Sequence, residues 1–464
     1  MSGWQPTRRS FMAGLAGSFG LPLAARALPA SPDVVVIGAG AAGIAAARRL
    51  IAGGRSVIVI EAADRIGGRA YTESTTFGVP YDQGCAWLQG PDDLPQVSLA
   101  RELGFKLVDH DNARDVLFSG NGRASRTERR QYDRAFAHLE DALEEAEGDV
   151  AASTVVPSDM PLSAVAQTWM GPLDFGVDLT DLSTADYNVY ADEEVNYLVR
   201  EGLGTLVAGL GTGLPVQLGT AATGVDWSGD GVRVETTAGT IEARACIVTV
   251  STGVLASGAI RFTPELPASK AQAIDDVPMG LLTKIALQFD GERFGLTESD
   301  FLTYVIPNEV PAEACYFLTF PTGWDIAVGF VGGSFGWDLS RAGEAAAVDF
   351  ALGEFVKIMG SDARRHFVKG HMSDWAENPL TLGAYGAARP GRFDARAVLA
   401  EPLGDRVFFA GEAVAGPYIA LCSGAHLSGD AVAESVTAIL DGPSGCGSCD
   451  ARGRQRVRIK ETPE

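Results

Sequence analysis

The segment from Asp33 to Glu61, DVVVIGAGAAGIAAARRLIAGGRSVIVIE, runs from unbroken apolar residues through glycines into an alanine-rich stretch, then past Gly53 and Gly54 into a second apolar run. An apolar run without alternation suits a strand buried on both faces, and an alanine-rich stretch closed by glycine suits a helix with its stop. The segment predicts a strand, a tight turn, a helix and a second strand, the order of a βαβ unit. Another period governs MGLLTKIALQF, Met279 to Phe289, where Leu281, Ile285, Leu287 and Phe289 fall on alternate positions. That spacing predicts a half-buried strand with Lys284 on its other face. The pattern leaves two readings of Lys284 open: a solvated lysine, or a charge held inside a working site.

From about 96 to 200 the pattern reads as helical and acidic, with AFAHLEDALEEAEGD as one amphipathic helix and ADEEVNYL near the end of the region. From 216 to 250, short alternating runs with turns at SGDG and TAGT predict a small hairpin sheet that returns to a buried strand, ACIVTV. Residues 281 to 397 mix strands and helices without a repeat. RVFFAGE predicts another buried strand, ending in Gly411 and Glu412. Residues 423 to 441 predict a helix with Val432, Val436, Ile439 and Leu440 on one face, stopped by Gly442 and Pro443. The glycine-rich and then basic tail beyond it predicts disorder.

At 464 residues the chain exceeds what one hydrophobic core usually spans, so two domains are expected. Its 46% hydrophobic and 21% charged residues are those of a globular protein, and many of its 56 glycines cluster in motifs, as backbone approach to a ligand would require. The formal net charge of -22 argues against nucleic acid and anionic membranes as partners. Near the start, TRRSFMAGLAGSFGLPLAARALPA places Arg8 and Arg9 before a short apolar run and small residues at Ala27 and Ala30, the pattern of a twin-arginine export signal. It predicts use of the twin-arginine export machinery and a periplasmic or secreted protein; an uncleaved leader is the alternative. No segment reaches the roughly 18 apolar residues of a membrane helix, so stable membrane insertion is not expected. Six cysteines in so long a chain make no disulfide framework; the CxxC of Cys446 and Cys449 lies in the tail, the five histidines lack metal spacing, and no metal is expected.

Gly38, Gly40 and Gly43 form GxGxxG between the predicted strand and helix, and Glu61 ends the next strand where a ribose-binding carboxylate is expected. The glycines let a pyrophosphate approach the helix N-terminus, whose dipole and free N–H groups favour an anion. This predicts a dinucleotide without separating FAD from NAD. The next residues, EAADRIGGRAYT, extend the fingerprint with Arg65, Gly67, Gly68 and Arg69. With YDQGCAWLQG, EGLGTLVAGL, CIVTVSTGVLASGAIRFTPELP, MGLLTKIALQF, WAENPLTLGAYG and RVFFAGEAVAGPYIALCSGAHLSG, the sequence resembles the flavin-containing amine oxidase family, which includes monoamine oxidases, polyamine oxidases and related histone demethylases. The resemblance covers nearly all of the chain after the leader. It implies an α/β fold in which a Rossmann-like FAD-binding domain of the GR2 type, a parallel sheet with a β-hairpin sheet, is interleaved with an α+β substrate domain. The expected boundaries are 1–30 for the export signal, 33–95, 200–283 and 398–441 for the FAD domain, 96–199 and 284–397 for the substrate domain, and 442–464 for the tail.

Carried over by position, the resemblance implies that Glu61 binds the adenosine ribose and that Arg69 lies by the FAD phosphates and flavin. The turn from Gly84 to Trp87 would pass along the isoalloxazine, Ala222 would meet adenine through its backbone, and Gly411 and Glu412 would approach the ribityl-pyrophosphate region. Leu421 and Cys422 would meet the pyrimidine edge, with the following helix pointing its positive end there. Monoamine oxidases carry a flavin-linked cysteine where this chain has Ala384, so non-covalent FAD is implied. Tyr385 matches one tyrosine of their aromatic cage, Leu421 stands at the second cage position, and Trp375 matches a tryptophan near the flavin. Lys284 matches the lysine that faces flavin N5 through a water.

The implied reaction removes a hydride from the carbon beside a neutral amine nitrogen, giving an imine and then an aldehyde, with O2 reduced to H2O2 and activity rising with pH. TVSTGVLASGAIRFTPELP is closest to polyamine oxidases and histone demethylases. Gln89 stands where some polyamine oxidases anchor the distal amine, and Asp192, Glu193 and Glu194 are candidates for entrance charge or a solvated turn. Polyamines or related secondary amines are therefore the leading small-molecule amine substrates. An L-amino-acid oxidase, a dehydrogenase using a periplasmic electron acceptor and a non-catalytic flavin-binding subunit are the alternatives.

Overall fold

The computed structural model describes residues 31–190 and 195–442. The export-signal residues, Asp192 to Glu194, and the tail with its CxxC lie outside the described residues. Val34–Ile37, helix Ala41–Ala52 and Val57–Ile60 form the βαβ unit. Its strands join a five-stranded parallel sheet in the order Val216–Gln217, Val57–Ile60, Val34–Ile37, Ala245–Val248, Val407–Phe409. Both faces of this sheet are covered, which is why its strands read as unbroken apolar runs. Val34, Val36 and Ile247 pack against the helix residues Ala46, Ala433 and Val436, whereas Val35, Ile37 and Cys246 pack against Val225 and Val234 of the hairpin sheet.

That second sheet has four strands in the order Gly239–Ala243, Val232–Thr236, Ala222–Asp226, Arg261–Thr263. Its two tight turns fall in the glycine-bearing stretches at 228–231 and 237–240, as expected from the sequence. The helix Cys422–Asp441 runs back across the parallel sheet beside Ala41–Ala52.

A seven-stranded mixed sheet forms the other main layer, with Leu282–Phe289 lying between Ile326–Gly332 and Phe367–Met372. The alternation expected of Leu282–Phe289 is present, but the face opposite Ile285 and Leu287 is covered as well. Lys284 and Ala286, on that face, are both buried. The stretch from 96 to 200 differs from its uniformly helical expectation. Helix Arg126–Glu144 is present, opened by a capping box between Ser125 and Glu128, but Asp115–Ser119 joins the seven-stranded sheet. Val195–Val199, expected near a helix end, is the central strand of a three-stranded sheet between Trp87–Gly90 and Leu107–Asp109. Its valines and tyrosine suit a pleated surface, and pairing on both sides satisfies backbone groups that a helix end would leave open.

One buried ion pair fixes the helical region against the segment that enters the candidate site. Arg396 donates through Nε and Nη2 to Asp186, 2.7 Å each, and through Nη2 and Nη1 to the carbonyls of Gly386 and Ala413 at 2.9 and 2.8 Å. Asp186 also accepts from the Ala388 amide at 2.6 Å, and neither charged side chain reaches solvent appreciably. Removing one member strands the other charge in a dry interior. Asp186→Ala should therefore lower the unfolding free energy by about 3–5 kcal/mol, read by urea denaturation; a loss within experimental error would show that Arg396 finds water when its partner is removed.

Candidate active site

The cavity between the parallel sheet and the seven-stranded sheet has a volume of about 1170 Å³. This exceeds the roughly 300–1,000 Å³ typical of a small-ligand pocket, so it has room for an extended ligand and a second molecule. One end is the glycine turn. Gly38, Gly40 and Glu61 line it, and Gly43 does not: a Cβ at Gly43 would lie 2.0 Å from the Gly38 carbonyl oxygen, so its part is to let helix and turn close on each other. The Glu61 carboxylate accepts from the amides of Ala39 and Ala63 at 2.7 and 2.9 Å, which fixes it at the rim of the turn.

Two helices, Ala41–Ala52 and Cys422–Asp441, open on this cavity with N-caps, Gly40 and Leu421, that supply no side-chain cap. Their first amides are left for an anionic or electron-rich ligand. With the Glu61 carboxylate and Ala222 at the same end, these features fit the adenosine and pyrophosphate of a dinucleotide. Arg69 donates from Nη1 to the Ala384 carbonyl at 2.7 Å and to Glu412 at 2.9 Å, and both Glu412 oxygens accept from the Gly386 amide at 3.2 and 3.3 Å. The cluster ties 384–386 to the segment that begins at Gly411, and all of Arg69, Ala384, Gly411 and Glu412 face the cavity.

The far end is built around Lys284. Its ammonium donates to the backbone carbonyls of Asp82, at 3.2 Å, and Gly84. The side chain is 4% exposed, with Nζ 5.6 Å from the Trp87 ring centroid and 5.9 Å from that of Phe330. Burial lowers its pKa to about 8, opposed by the Asp82 carboxylate and the Cys85 thiol. Gly84 can occupy this turn only without a side chain, since a Cβ would meet the Arg69 carbonyl oxygen at 1.6 Å and the Trp375 ring at 3.2 Å. Trp375 donates from Nε1 to the Gln83 carbonyl at 2.9 Å, holding the preceding residue of the turn.

Aromatic rings make the walls. Trp87 stacks on Phe301, with centroids 6.1 Å apart, and donates from Nε1 to His110 Nδ1 at 3.0 Å. Nε2 of His110 lies 2.8 Å from the Ser299 carbonyl, so the tautomer that satisfies both contacts carries its proton on Nε2. Burial lowers the His110 pKa and favours that neutral ring. Tyr385 donates to the Leu173 carbonyl at 3.0 Å. Leu173 ends a π-turn, Trp169–Leu173, that contains Pro172, and both Trp169 and Leu173 line the cavity. Gln89 shares the cavity face with Trp87, as strand alternation requires, and Leu421 and Cys422 border it at the helix start.

Among the described residues, every site residue expected from the sequence apart from Gly43 thus meets this one cavity. The sequence reading passed over His110, Trp169, Phe301 and Phe330, which line it too. Pro172 inside an otherwise helical run was the available signal for the π-turn that carries Trp169. Phe330 stands opposite Lys284 across the strand pair, a register that no local pattern reveals.

The buried lysine makes stability pH-dependent. An unfolded lysine titrates near 10.5 and Lys284 near 8, so between these values the unfolded chain holds a proton that the folded protein has released. Stability must rise with pH across that window. Comparison with Lys284→Met isolates the term, because other groups cancel to first order. The unfolding free energy of the wild type should gain on that of the variant by up to about 3 kcal/mol as pH rises through the window, as read by urea titrations; a constant difference would mean that the ammonium is solvated.

The model of the family described as flavin containing amine oxidoreductase matches residues 41–178 and 177–437. The chain is 32% identical to polyamine oxidase 4 of Oryza sativa subsp. japonica, covering 90% of this chain and 91% of that protein. It is 31% identical to polyamine oxidase 2 of Arabidopsis thaliana, covering 87% and 88%, and 27% identical to human lysine-specific histone demethylase 2, covering 88% of this chain and 53% of that one. Among solved structures, putrescine oxidase bound to putrescine has the same fold, with a TM-score of 0.72, 21% identity, and coverage of 88% of this chain and 99% of that one. A dinucleotide cradle joined to an aromatic, lysine-bearing chamber, together with these matches, shows that the chain belongs to the flavin-containing amine oxidoreductase family and is an enzyme of that family.

Proposed function

We propose that this protein oxidises polyamines or related secondary amines, with FAD held non-covalently and O2 as the final electron acceptor. The observation that carries this reading is the Lys284 ammonium, buried among aromatic rings at the end of a cavity whose other end is a dinucleotide cradle. When bound, FAD would supply the hydride acceptor for the C–H bond beside the amine nitrogen, and O2 would take up the electrons as H2O2. Trp87, Trp375 and Tyr385 supply faces that favour a cationic or recently deprotonated amine. The tether from Tyr385 to Leu173 limits rotation of that ring. Asp174, Glu144 and Tyr187 add negative charge and polarity to the same lining, which suits a substrate with a second amino group.

Lys284 spends two of its three N–H donors on backbone carbonyls, leaving one for water or substrate. With its pKa near 8, Nζ can accept a proton from bound water as the substrate ammonium loses its own. Turnover should therefore rise with pH, since amine and lysine must both shed protons. Ala384 offers no nucleophile to the flavin and turns its carbonyl to Arg69, which supports a cofactor released intact on denaturation. The cavity-lining Arg65 and Arg69 are already bonded, to the Gly68 carbonyl and to Glu412, which disfavours an amino-acid carboxylate as the anchored group.

Purified, flavin-loaded protein should bleach anaerobically with polyamines faster than with monoamines or amino acids, regain colour in air, and release peroxide. Bleaching by amino acids alone would overturn the substrate assignment, and slow recovery in air would mark a dehydrogenase. Lys284→Met should retain FAD while flavin reduction or reoxidation slows on the order of 10²-fold; near-normal turnover would remove the lysine from the chemistry. We further propose export by the twin-arginine route, supported by Arg8, Arg9 and the apolar run that follows. Exchange of both arginines for lysine should retain the protein in the cytoplasm by cell fractionation, and unchanged export would refute the signal.

A further inference from the structure

The turn that holds Lys284 is itself held at a point the lysine does not touch. Gln83 stands between Asp82 and Gly84, the two residues whose carbonyls accept from the ammonium. Its backbone amide donates to the Tyr71 carbonyl at 2.9 Å, and its carbonyl accepts from Trp375. Its side-chain amide nitrogen lies 2.9 Å from Nε2 of His371, on the strand Phe367–Met372 that pairs with the lysine strand. Nδ1 of His371 lies 2.7 Å from the Glu344 carboxylate. We propose that His371, braced by Glu344, is a positioning residue: it fixes Gln83, and with it the direction of the two flanking carbonyls on which the Lys284 ammonium depends.

The bonding assigns the roles. A carboxylate only accepts, so Nδ1 carries a proton, and Nε2 of the neutral ring accepts from the Gln83 amide. In a charged ring Nε2 donates instead and a turned amide accepts through Oε1, so the tie survives in either state. Glu344 is the first residue of helix Glu344–Met359 and also accepts from the Met372 amide at 3.2 Å, which fixes the brace to both helix and strand. Phe77 and Tyr81 meet the His371 ring edge-on, with centroids 6.5 and 6.4 Å away, and limit its rotation. Gln83 borders the cavity, so an untied turn admits water to the ammonium, whereas a fixed turn presents two aligned acceptors. A hydrated lysine titrates nearer its ordinary value than a desolvated one. His371 itself does not line the cavity, so its effect on the chemistry must pass through the turn.

The part His371 plays in turnover rests on the function proposed above, but the first test needs no substrate. His371→Phe keeps an aromatic ring against Phe77 and Tyr81 and removes both polar bonds, leaving the exposed Glu344 to water. Urea titrations of the flavin-loaded protein between pH 8 and 10.5 compare wild type with Lys284→Met, and His371→Phe with the double variant His371→Phe/Lys284→Met. Asp82, Cys85, Tyr81, Glu73, Glu344 and Lys369, titratable groups around the turn, are common to all four proteins and cancel within each pair. The pH-dependent gain in the second pair should be less than about half that in the first. His371→Gln, whose Oε1 can stand in for Nε2, should restore it. An equal or larger gain in the His371→Phe pair, or no recovery with His371→Gln, would overturn the proposal. With the amine that bleaches the flavin, His371→Phe should slow turnover on the order of 10-fold alone and by less than about 2-fold when added to Lys284→Met, at unchanged FAD absorbance. Equal slowing in both backgrounds would make His371 a general support of the fold and also overturn the proposal. If no amine is oxidised, the reading of function fails by itself and the stability pairs still decide whether His371 holds the turn.

Discussion

A buried ammonium held by two backbone carbonyls is the constraint around which this cavity is arranged. Lys284 could not remain on an interior strand of the seven-stranded sheet unless something satisfied its charge, and the carbonyls of Asp82 and Gly84, at and just after strand Tyr81–Asp82, do so. This requires the turn at 82–84 to come close, which in turn requires glycine at 84 and the anchor from Trp375 to Gln83. The Asp82 carboxylate completes the arrangement by accepting from the amides of Leu203 and Gly204 at 3.0 and 3.2 Å, so one residue supports a lysine through its backbone and a helix start through its side chain. The turn after Asp82 is thus tied to the seven-stranded sheet at the place where the charge is most costly to leave unpaired.

Burial alone does not make a lysine functional, as Lys270 shows. It is 2% exposed, and burial lowers its pKa to about 8, the same value as that of Lys284. Yet Lys270 donates to the carbonyls of Val398, Leu399 and Glu401 at the end of helix Ala395–Ala400, and those bonds occupy its three donors. A cation there stabilises a helix C-terminus. Lys284 keeps a donor in reserve and borders a large cavity, so the geometry of the unspent N–H separates the two, and the degree of burial does not.

Much of the fold was legible because its signals are local. The unbroken valine and isoleucine runs of the parallel sheet, the glycines of the first turn and the hairpin turns between 228 and 240 each follow from a few neighbouring residues. Val195–Val199 differs from its expectation because its strand character rests on partners far along the chain, at Trp87–Gly90 and Leu107–Asp109. His110, Phe301 and Phe330 escaped for the same reason: each looks like an ordinary core residue until Trp87 and Lys284 are set beside it.

The sequence by itself determined the βαβ unit with its dinucleotide fingerprint and the strand that carries Lys284, since apolar period and glycine placement act over a few residues. It also supplied the ordered motifs from which family membership follows. Tertiary structure decided that the Lys284 face looks into a cavity and not into water, and that Arg69 meets Glu412 and Ala384. These are matters of which distant segments approach, and the free energy of an ammonium or a thiol depends on what desolvates it and what it can bond to, neither of which is written in its own stretch of chain.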